Sequence, residues 1–347
     1  MSRGKAGGHR PETRKKPGLA YAFTNEGVEL PVIDVTHPDF EVVITEPEIT
    51  ARNAEYQAVE RRRARTPLLI RRFMFRYYAR RSVILQGMVE ARKSFLSGMN
   101  TYILKLGAAN LGSAYASAVD RYVAASFPAL IIRLRTQNTA KLLASGIAEP
   151  LLAGPGNPLH LVNIAGGPSA DSLNALILTQ KAHPGLLQGR RIFIHVLDLE
   201  RDAPEFGKRA MEGLQAKGAP LQGLDITFEH TTYDWGKPAE LKALLGGFGA
   251  GPFVVAVSTE GGLFEYGTDS DILLNLEVLR AVGLPGLFVV GSVTRDDDPN
   301  RLLHGTNGIP VIRRGLTVFA ALAKRAGWRV ETAIERPFSD VVRLVAD

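Results

Sequence analysis

The chain has 347 residues, 45% of them apolar and 22% charged. These are ordinary globular proportions, which set disorder aside for most of the length and allow one large or two modest domains. It contains no cysteine, which excludes disulfides, thiolate metal sites, iron–sulfur clusters and a cysteine nucleophile. The formal net charge of +7 is uneven: residues 1–150 carry 23 Lys+Arg against 13 Asp+Glu, a net of +10, and the remainder 19 against 22, a net of −3.

The basic opening MSRGKAGGHRPETRKK is followed by no apolar stretch, and no uninterrupted apolar run is long enough to span a membrane. The expectation is a soluble, cytoplasmic protein with no membrane partner. Residues 1–50 read as an extended basic arm, because Pro31, Pro38 and Pro47 forbid a long helix. From 51 to 157 the apolar spacing of three and four residues indicates an all-helical domain, with helices expected over 51–64, 67–98, 99–125 and 128–146. Thr66-Pro67 suits a helix start. The Gly- and Pro-rich LLAGPGNP, residues 151–158, marks a boundary.

Beyond it, strand-like runs alternate with amphipathic segments. LHLVNIAG (159–166), RIFIHVLDL (191–199), LDITFEHTTY (224–233), PFVVAVST (252–259) and GLFVVGSV (286–293) read as five parallel strands covered by helices on both faces. Two final runs, WRVETAIERP and VVRLVA, are too close for a crossover and must be antiparallel neighbours. The predicted fold for 158–347 is therefore α/β, a doubly wound, Rossmann-like sheet of five parallel strands with a terminal antiparallel hairpin, preceded by the helical domain.

Chemistry is suggested where the first of these strands runs into Asn163-Ile164-Ala165-Gly166-Gly167-Pro168-Ser169. Glycine there lets backbone approach a ligand closely, and the amides of the next helix's N-terminus favour an anionic group. The second strand ends at Asp198-Leu199-Glu200, where an acid beyond the carboxyl edge of an open sheet can accept hydrogen bonds from both hydroxyls of a ribose.

This arrangement resembles the class I S-adenosylmethionine-dependent methyltransferase superfamily, whose first loop commonly reads acid-x-Gly-x-Gly-x-Gly. Gly167 stands at the central glycine, Asn163 where the acid usually is, and Ala165 and Ser169 replace the outer glycines. The resemblance covers about residues 158–347 and implies S-adenosyl-L-methionine as cofactor. It implies that Asn163, Ala165, Gly166 and Gly167 surround the methionine part, that Asp198, Leu199 and Glu200 hold the ribose, and that Tyr233 and Asp234 meet the adenine. Ser258, at the end of the fourth strand, would line the cleft between cofactor and acceptor.

A dinucleotide-binding dehydrogenase is the main competitor, but its Gly-x-Gly-x-x-Gly would be Ala165-x-Gly167-x-x-Ala170, with one glycine of three, and the hairpin finish does not suit it. Transfer of an activated methyl needs placement rather than a metal. If the acceptor is a hydroxyl, a general base helps, and the candidates are Glu260 and His304, the latter in a long loop after the fifth strand. Glu265 and Tyr266 are candidates for an acceptor-pocket wall. The helical domain could cap the cleft, hold the acceptor or mediate a homodimer. Its nine arginines from Arg61 to Arg81 mixed with Phe73, Phe75, Tyr77 and Tyr78 also fit a nucleic-acid surface. The leading reading is methylation of a small molecule at oxygen; the alternatives are an RNA methyltransferase and a catalytically silent cofactor-binding protein.

Overall fold

The structure, a computed structural model, describes residues 9–91, 95–115, 117–248, 251–307 and 309–347, without the side chains of residues 68, 72, 302 and 304–307. The chain starts with a small antiparallel hairpin, β1 (Tyr21–Phe23) and β2 (Glu29–Pro31). The segment expected as an extended arm packs against the body of the protein. Leu30, Val32, Ile33, Val35 and Phe40 are buried in the main core. Their backbone groups find partners there, as buried amides and carbonyls must. Tyr102 Oη accepts from the Ile33 amide (3.1 Å) and donates to the Pro31 carbonyl (2.8 Å), while the Asn174 side chain accepts from the Val35 amide (2.7 Å) and donates to the Ile33 carbonyl (2.9 Å).

Helix α1 (Glu46–Ala64) starts five residues before the expected Ala51. Thr45 and Glu48 form a reciprocal capping box, and Pro47 sits in the first turn, where it loses no helical bond. The helices expected over 67–98 and 99–125 are each broken. They become α2 (Leu68–Ala79), α3 (Val83–Ala91), α4 (Gly98–Leu106) and α5 (Ala118–Ala124). The restart at α3 has a side-chain cause: Asp120 Oδ1 accepts from Ser82 Oγ (2.6 Å) and from the Ile84 amide (3.1 Å). Ser97 and Ser117 cap α4 and α5, and Gly107, at φ 72°, ends α4.

Helix α6 (Phe127–Ala153) runs past its expected end and contains Pro150. Its Leu143, Ile147 and Leu151 enter the same core as Leu159 and Leu161 of the first long strand, so this helix is a layer of the sheet domain as much as the end of the helical segment.

The remainder alternates as expected, except that a helix over Asp298–Asn307 stands where a long loop is expected: β3 (Leu159–Ile164), α7 (Ala170–Ala182), β4 (Arg191–Asp198), α8 (Asp202–Gln215), β5 (Asp225–Thr232), α9 (Ala239–Gly246), β6 (Val254–Thr259), the single turn α10 (Leu263–Tyr266), α11 (Asp269–Ala281), β7 (Phe288–Thr294), α12 (Asp298–Asn307), α13 (Gly315–Arg325), β8 (Trp328–Ile334) and β9 (Ser339–Ala346). The sheet order is β5-β4-β3-β6-β7-β9-β8. The first five strands pair in parallel, while β9 runs antiparallel between β7 and β8. Residues of α6, α7 and α8 pack on one face and residues of α9, α11 and α13 on the other. Trp328 is 1% exposed and donates its indole N–H to the Leu276 carbonyl (2.9 Å), pinning the hairpin to α11.

Strand β3 has β4 on one side and β6 on the other. The winding reverses between them, and in open α/β sheets the crevice beyond the carboxyl ends at such a reversal is where ligands bind.

Candidate functional site

The loop leaving β3 lies at that crevice. Ala165, Gly167 and Ser169 all have left-handed backbone, with φ of 56°, 59° and 55°, so the two outer positions that the superfamily fills with glycine require the glycine-favouring conformation here as well. Alanine and serine hold it at a strain of about 1 kcal/mol or more each. The loop is fixed from below by Asn163. Its Oδ1 accepts from the Gly166 amide (2.9 Å), and its Nδ2 donates to Asp171 Oδ1 (2.9 Å) and Ser258 Oγ (3.0 Å). Asn163 and Ser258 are 0% and 1% exposed. They support the loop and do not line the cleft, which corrects their expected place as ligand contacts. Asp171 lies in the same buried layer. Burial, reinforced by the charge of Glu260, pushes its carboxyl up to about 6.

Asp198 closes β4 directly opposite. Its Oδ2 accepts from the Gly167 amide (3.0 Å) and its Oδ1 from the Glu200 amide (2.9 Å). Burial raises its pKa and these amides work in the other direction. Each oxygen keeps a lone pair for a further donor. Glu200 is engaged differently, its Oε2 accepting from the Gly98 amide (3.1 Å).

Gly98 begins α4, and its contact with the loop was not legible in the sequence. A Cβ placed on Gly98 would lie 2.9 Å from Gly167 Cα and 2.7 Å from Ala203 Cβ. Only glycine allows the helical segment to close so tightly over the loop. The result is a cleft of about 790 Å³, its open mouth included. The loop Ala165–Gly167, Asp198, Leu199 and Glu200 lie on one side, Tyr233, Asp234 and Trp235 along another, and Phe95, Leu96 and Thr101 form the cover. The Tyr233 hydroxyl turns away to Asn275 Oδ1, leaving its ring toward the cleft. Asp234 is exposed and caps the turn through the Gly236 amide (3.0 Å).

Glu260 lines the cleft floor but is not poised as a base. Lys105 and Arg135, both buried, donate to its two oxygens, Arg135 Nε at 2.6 Å, and Arg135 Nη1 also reaches Glu265 Oε1 at 2.8 Å. Burial alone would raise its pKa, but the Lys105 ammonium and Arg135 guanidinium prevail and hold the Glu260 carboxyl down to about 2. The assignment of Glu260 as a proton acceptor is therefore corrected: it is the centre of a buried ion-pair cluster. Glu265, paired with Arg135, belongs to that cluster. His304 lies in α12 rather than in a loop, and its side chain is outside the described residues.

A second cavity, of about 780 Å³ with its mouth, adjoins the first and shares Leu96, Thr101, Gly261 and Tyr266 with it. Its further lining is chiefly apolar, including Ile131, Ile132, Leu104 and Phe338, with Glu265 at one edge. Tyr266 stands at the junction, edge-on to Phe95 with ring centroids 6.4 Å apart. Burial raises its phenol pKa, as does the neighbouring Glu265 charge. Of the expected site residues, the structure brings Ala165, Gly166, Gly167, Asp198, Leu199, Glu200, Tyr233, Asp234, Glu260 and Tyr266 around one cleft. Lys105 and Arg135, both from the helical segment, are not legible in the sequence, because nothing around them announces a partner more than a hundred residues away.

The sheet order, the reversal at β3/β6 and the inserted antiparallel β9 are the Rossmann-like topology, five parallel strands with a terminal antiparallel hairpin, that the sequence predicts. No family model and no curated protein matches the chain. Among solved structures, it is similar to the mitomycin 7-O-methyltransferase MmcR, with 14% identity, 67% of this chain and 59% of that chain covered and a TM-score of 0.39. It is similar to the O-methyltransferase NcsB1 from neocarzinostatin biosynthesis in complex with S-adenosylmethionine and 2-hydroxy-5-methyl naphthoic acid, at 17% identity, 63% and 58% coverage and a TM-score of 0.37. It is also similar to human N-acetylserotonin methyltransferase in complex with S-adenosylmethionine, at 17% identity, 61% and 55% coverage and a TM-score of 0.34. The match spans less than two thirds of each of those chains.

Proposed function

We propose that this chain binds S-adenosyl-L-methionine in the cleft at the β3/β6 reversal and methylates an oxygen of a small, largely apolar molecule held in the adjoining cavity. The observation that carries the reading is the convergence of the Gly166–Gly167 turn and the Asp198 carboxylate on one cleft. The residues fit the cofactor. Asp198 has lone pairs free for ribose hydroxyls, the tight glycine turn admits a chain close to backbone, and Leu199, Tyr233 and Trp235 offer apolar surface to a purine. Such cofactor-bound small-molecule methyltransferases are among the similar structures, which is in keeping with this assignment.

The bound cofactor would supply an already activated methyl group. The chain's task is to place the acceptor in line and exclude water. Phe95, Leu96 and Tyr266, at or beside the junction of the two cavities, would perform both. The helical residues 51–157 act in this reading as the cap that carries the acceptor cavity. Glu260 is held as a paired carboxylate, and Asp198 and Glu200 are engaged by the backbone amides of Gly167, Glu200 and Gly98 on the side read as the ribose site. The favoured acceptor oxygen is accordingly one that is acidic by itself, as in a phenol or enol.

Titration calorimetry with S-adenosylmethionine and with its demethylated product tests the reading: both should bind, with loss on Asp198→Ala. Absence of heat with either, together with binding of a nicotinamide dinucleotide, would reverse it. Binding without transfer to any acidic-oxygen acceptor would leave the catalytically silent alternative, which the locked Glu260 favours.

A further inference from the structure

Helix α2 has the sequence LLIRRFMFRYYA, and the side it turns to solvent is the opposite of what a water-facing helix carries. Ala79 is buried and Phe75 half-buried, so these mark the inner side. Leu69 (79% exposed), Phe73 (72%) and Tyr77 (44%) recur every four residues on the outer side, with Ile70 and Met74 beside them. Exposed Arg76, Arg80 and Arg81 border that ridge, and Arg61, Arg62 and Arg65 stand on the last turn of α1 and the turn that follows. No Asp or Glu occurs between residues 61 and 81. A contiguous apolar ridge of this kind marks an interaction surface.

We infer that α2 is the docking face for an anionic lipid bilayer, on which the protein rests without spanning it. No helix among the described residues is long and apolar enough to cross a membrane. A helix lying in the interface instead needs an apolar ridge of Leu and Phe immersed below the headgroups and cations level with the lipid phosphates, and α2 supplies both. A second copy of the chain fits less well, because a two-fold contact would oppose the same arginine cluster to itself. Nucleic acid fits less well also: Leu69, Ile70 and Met74 can neither stack on bases nor bond phosphates, and they sit at the centre of the face rather than at its margin. The inner side of the helix agrees with a lipid neighbourhood. Phe75 and Tyr78 line a wide, chiefly apolar groove that also touches Met88, Pro128 and Leu303 of the second cavity.

Co-sedimentation of the full chain with vesicles tests this directly. Vesicles of phosphatidylcholine containing phosphatidylglycerol should carry the protein down, and vesicles of phosphatidylcholine alone should not. Binding should weaken about tenfold or more in high salt and in the double variant Leu69→Ser, Phe73→Ser. Val43→Ser, which removes an 84%-exposed apolar side chain outside α2, should leave binding unchanged. Because the substituted side chains are mostly exposed, the thermal midpoint and cofactor binding should stay as in the wild type, so this result stands apart from the fate of the proposed function. Failure of the wild type to bind anionic vesicles, equal binding by the double variant, or a wild-type dimer that the double variant dissociates would each overturn the inference. So would RNA retention abolished by the double variant without any vesicle binding.

Discussion

The amide of Gly167 donates to Oδ2 of Asp198 across 3.0 Å, joining the loop after β3 to the end of β4 before any ligand is considered. The carboxylate thus latches the glycine turn while keeping acceptor capacity toward the cleft. Asp198→Ala should remove both functions. About ten- to a hundredfold of cofactor affinity should be lost, the equivalent of one or two charge-assisted hydrogen bonds, together with about 1 kcal/mol of stability. Asp198→Asn, which retains one oxygen, should fall between the two. Calorimetry and urea unfolding on the same samples separate these effects, and an unchanged affinity in the alanine variant would remove Asp198 from the site.

Glu260 offers the opposite case, a residue whose loss should be felt in folding first. Glu260→Gln leaves Lys105 and Arg135 buried with reduced compensation, and breaking a buried pair from one side typically costs about 3–5 kcal/mol. With its folded pKa depressed to about 2, Glu260 contributes stability that is present above its ordinary carboxylate range and is lost as pH falls through about 2. Denaturant midpoints measured at neutral pH check this. A variant as stable as the wild type but unable to transfer methyl groups would return Glu260 to the role of base.

Asp171 has the reverse sign. Burial, with the nearby Glu260 charge, raises its folded pKa to about 6 from the model-compound value of 3.8. Its contribution is therefore present below about 3.8 and lost as pH rises through about 6. Asp171→Asn can still accept from Asn163 and should stabilise the protein by about 1–3 kcal/mol at pH 8, with little effect near pH 4. Equal effects at both pH values would show that the carboxyl is not held protonated.

Ala165→Gly tests the strain in the loop. Relief of the left-handed alanine, offset by the greater freedom of glycine in the unfolded chain, should give a gain of about 0–1 kcal/mol. Thermal unfolding reads this shift, and a loss above about 1 kcal/mol would mean that the methyl group packs more usefully than its backbone angle suggests.

The sheet was largely legible because its signal is local. The runs ending at Ile164, Asp198 and Thr259 are bounded by turns, and β3 and β6 are buried along their whole length, which leaves predominantly apolar runs broken only by His160, Asn163, Ser258 and Thr259. The helical half was legible in kind but not in its breaks. The interruption near Ser82 depends on Asp120, which lies 38 residues further on, and Pro47, read as a breaker, serves as a first-turn residue. The cleft was half legible: Gly167 and Asp198 follow from strand ends, whereas the cover at Gly98 and the Lys105–Glu260 pair, 155 residues apart in sequence, arise only when the two halves meet.

The chain has two tryptophans, and the fold puts them to different uses. Trp235 borders the cleft and is half-buried, while Trp328 is sealed between the closing hairpin and α11. Intrinsic fluorescence therefore carries two separable channels: quenching of the first indole on titration with a nucleoside, and a red shift of the second only when the sheet comes apart. A Trp235→Phe variant would isolate the unfolding channel, so ligand occupancy and global melting can be followed in one cuvette without any added dye.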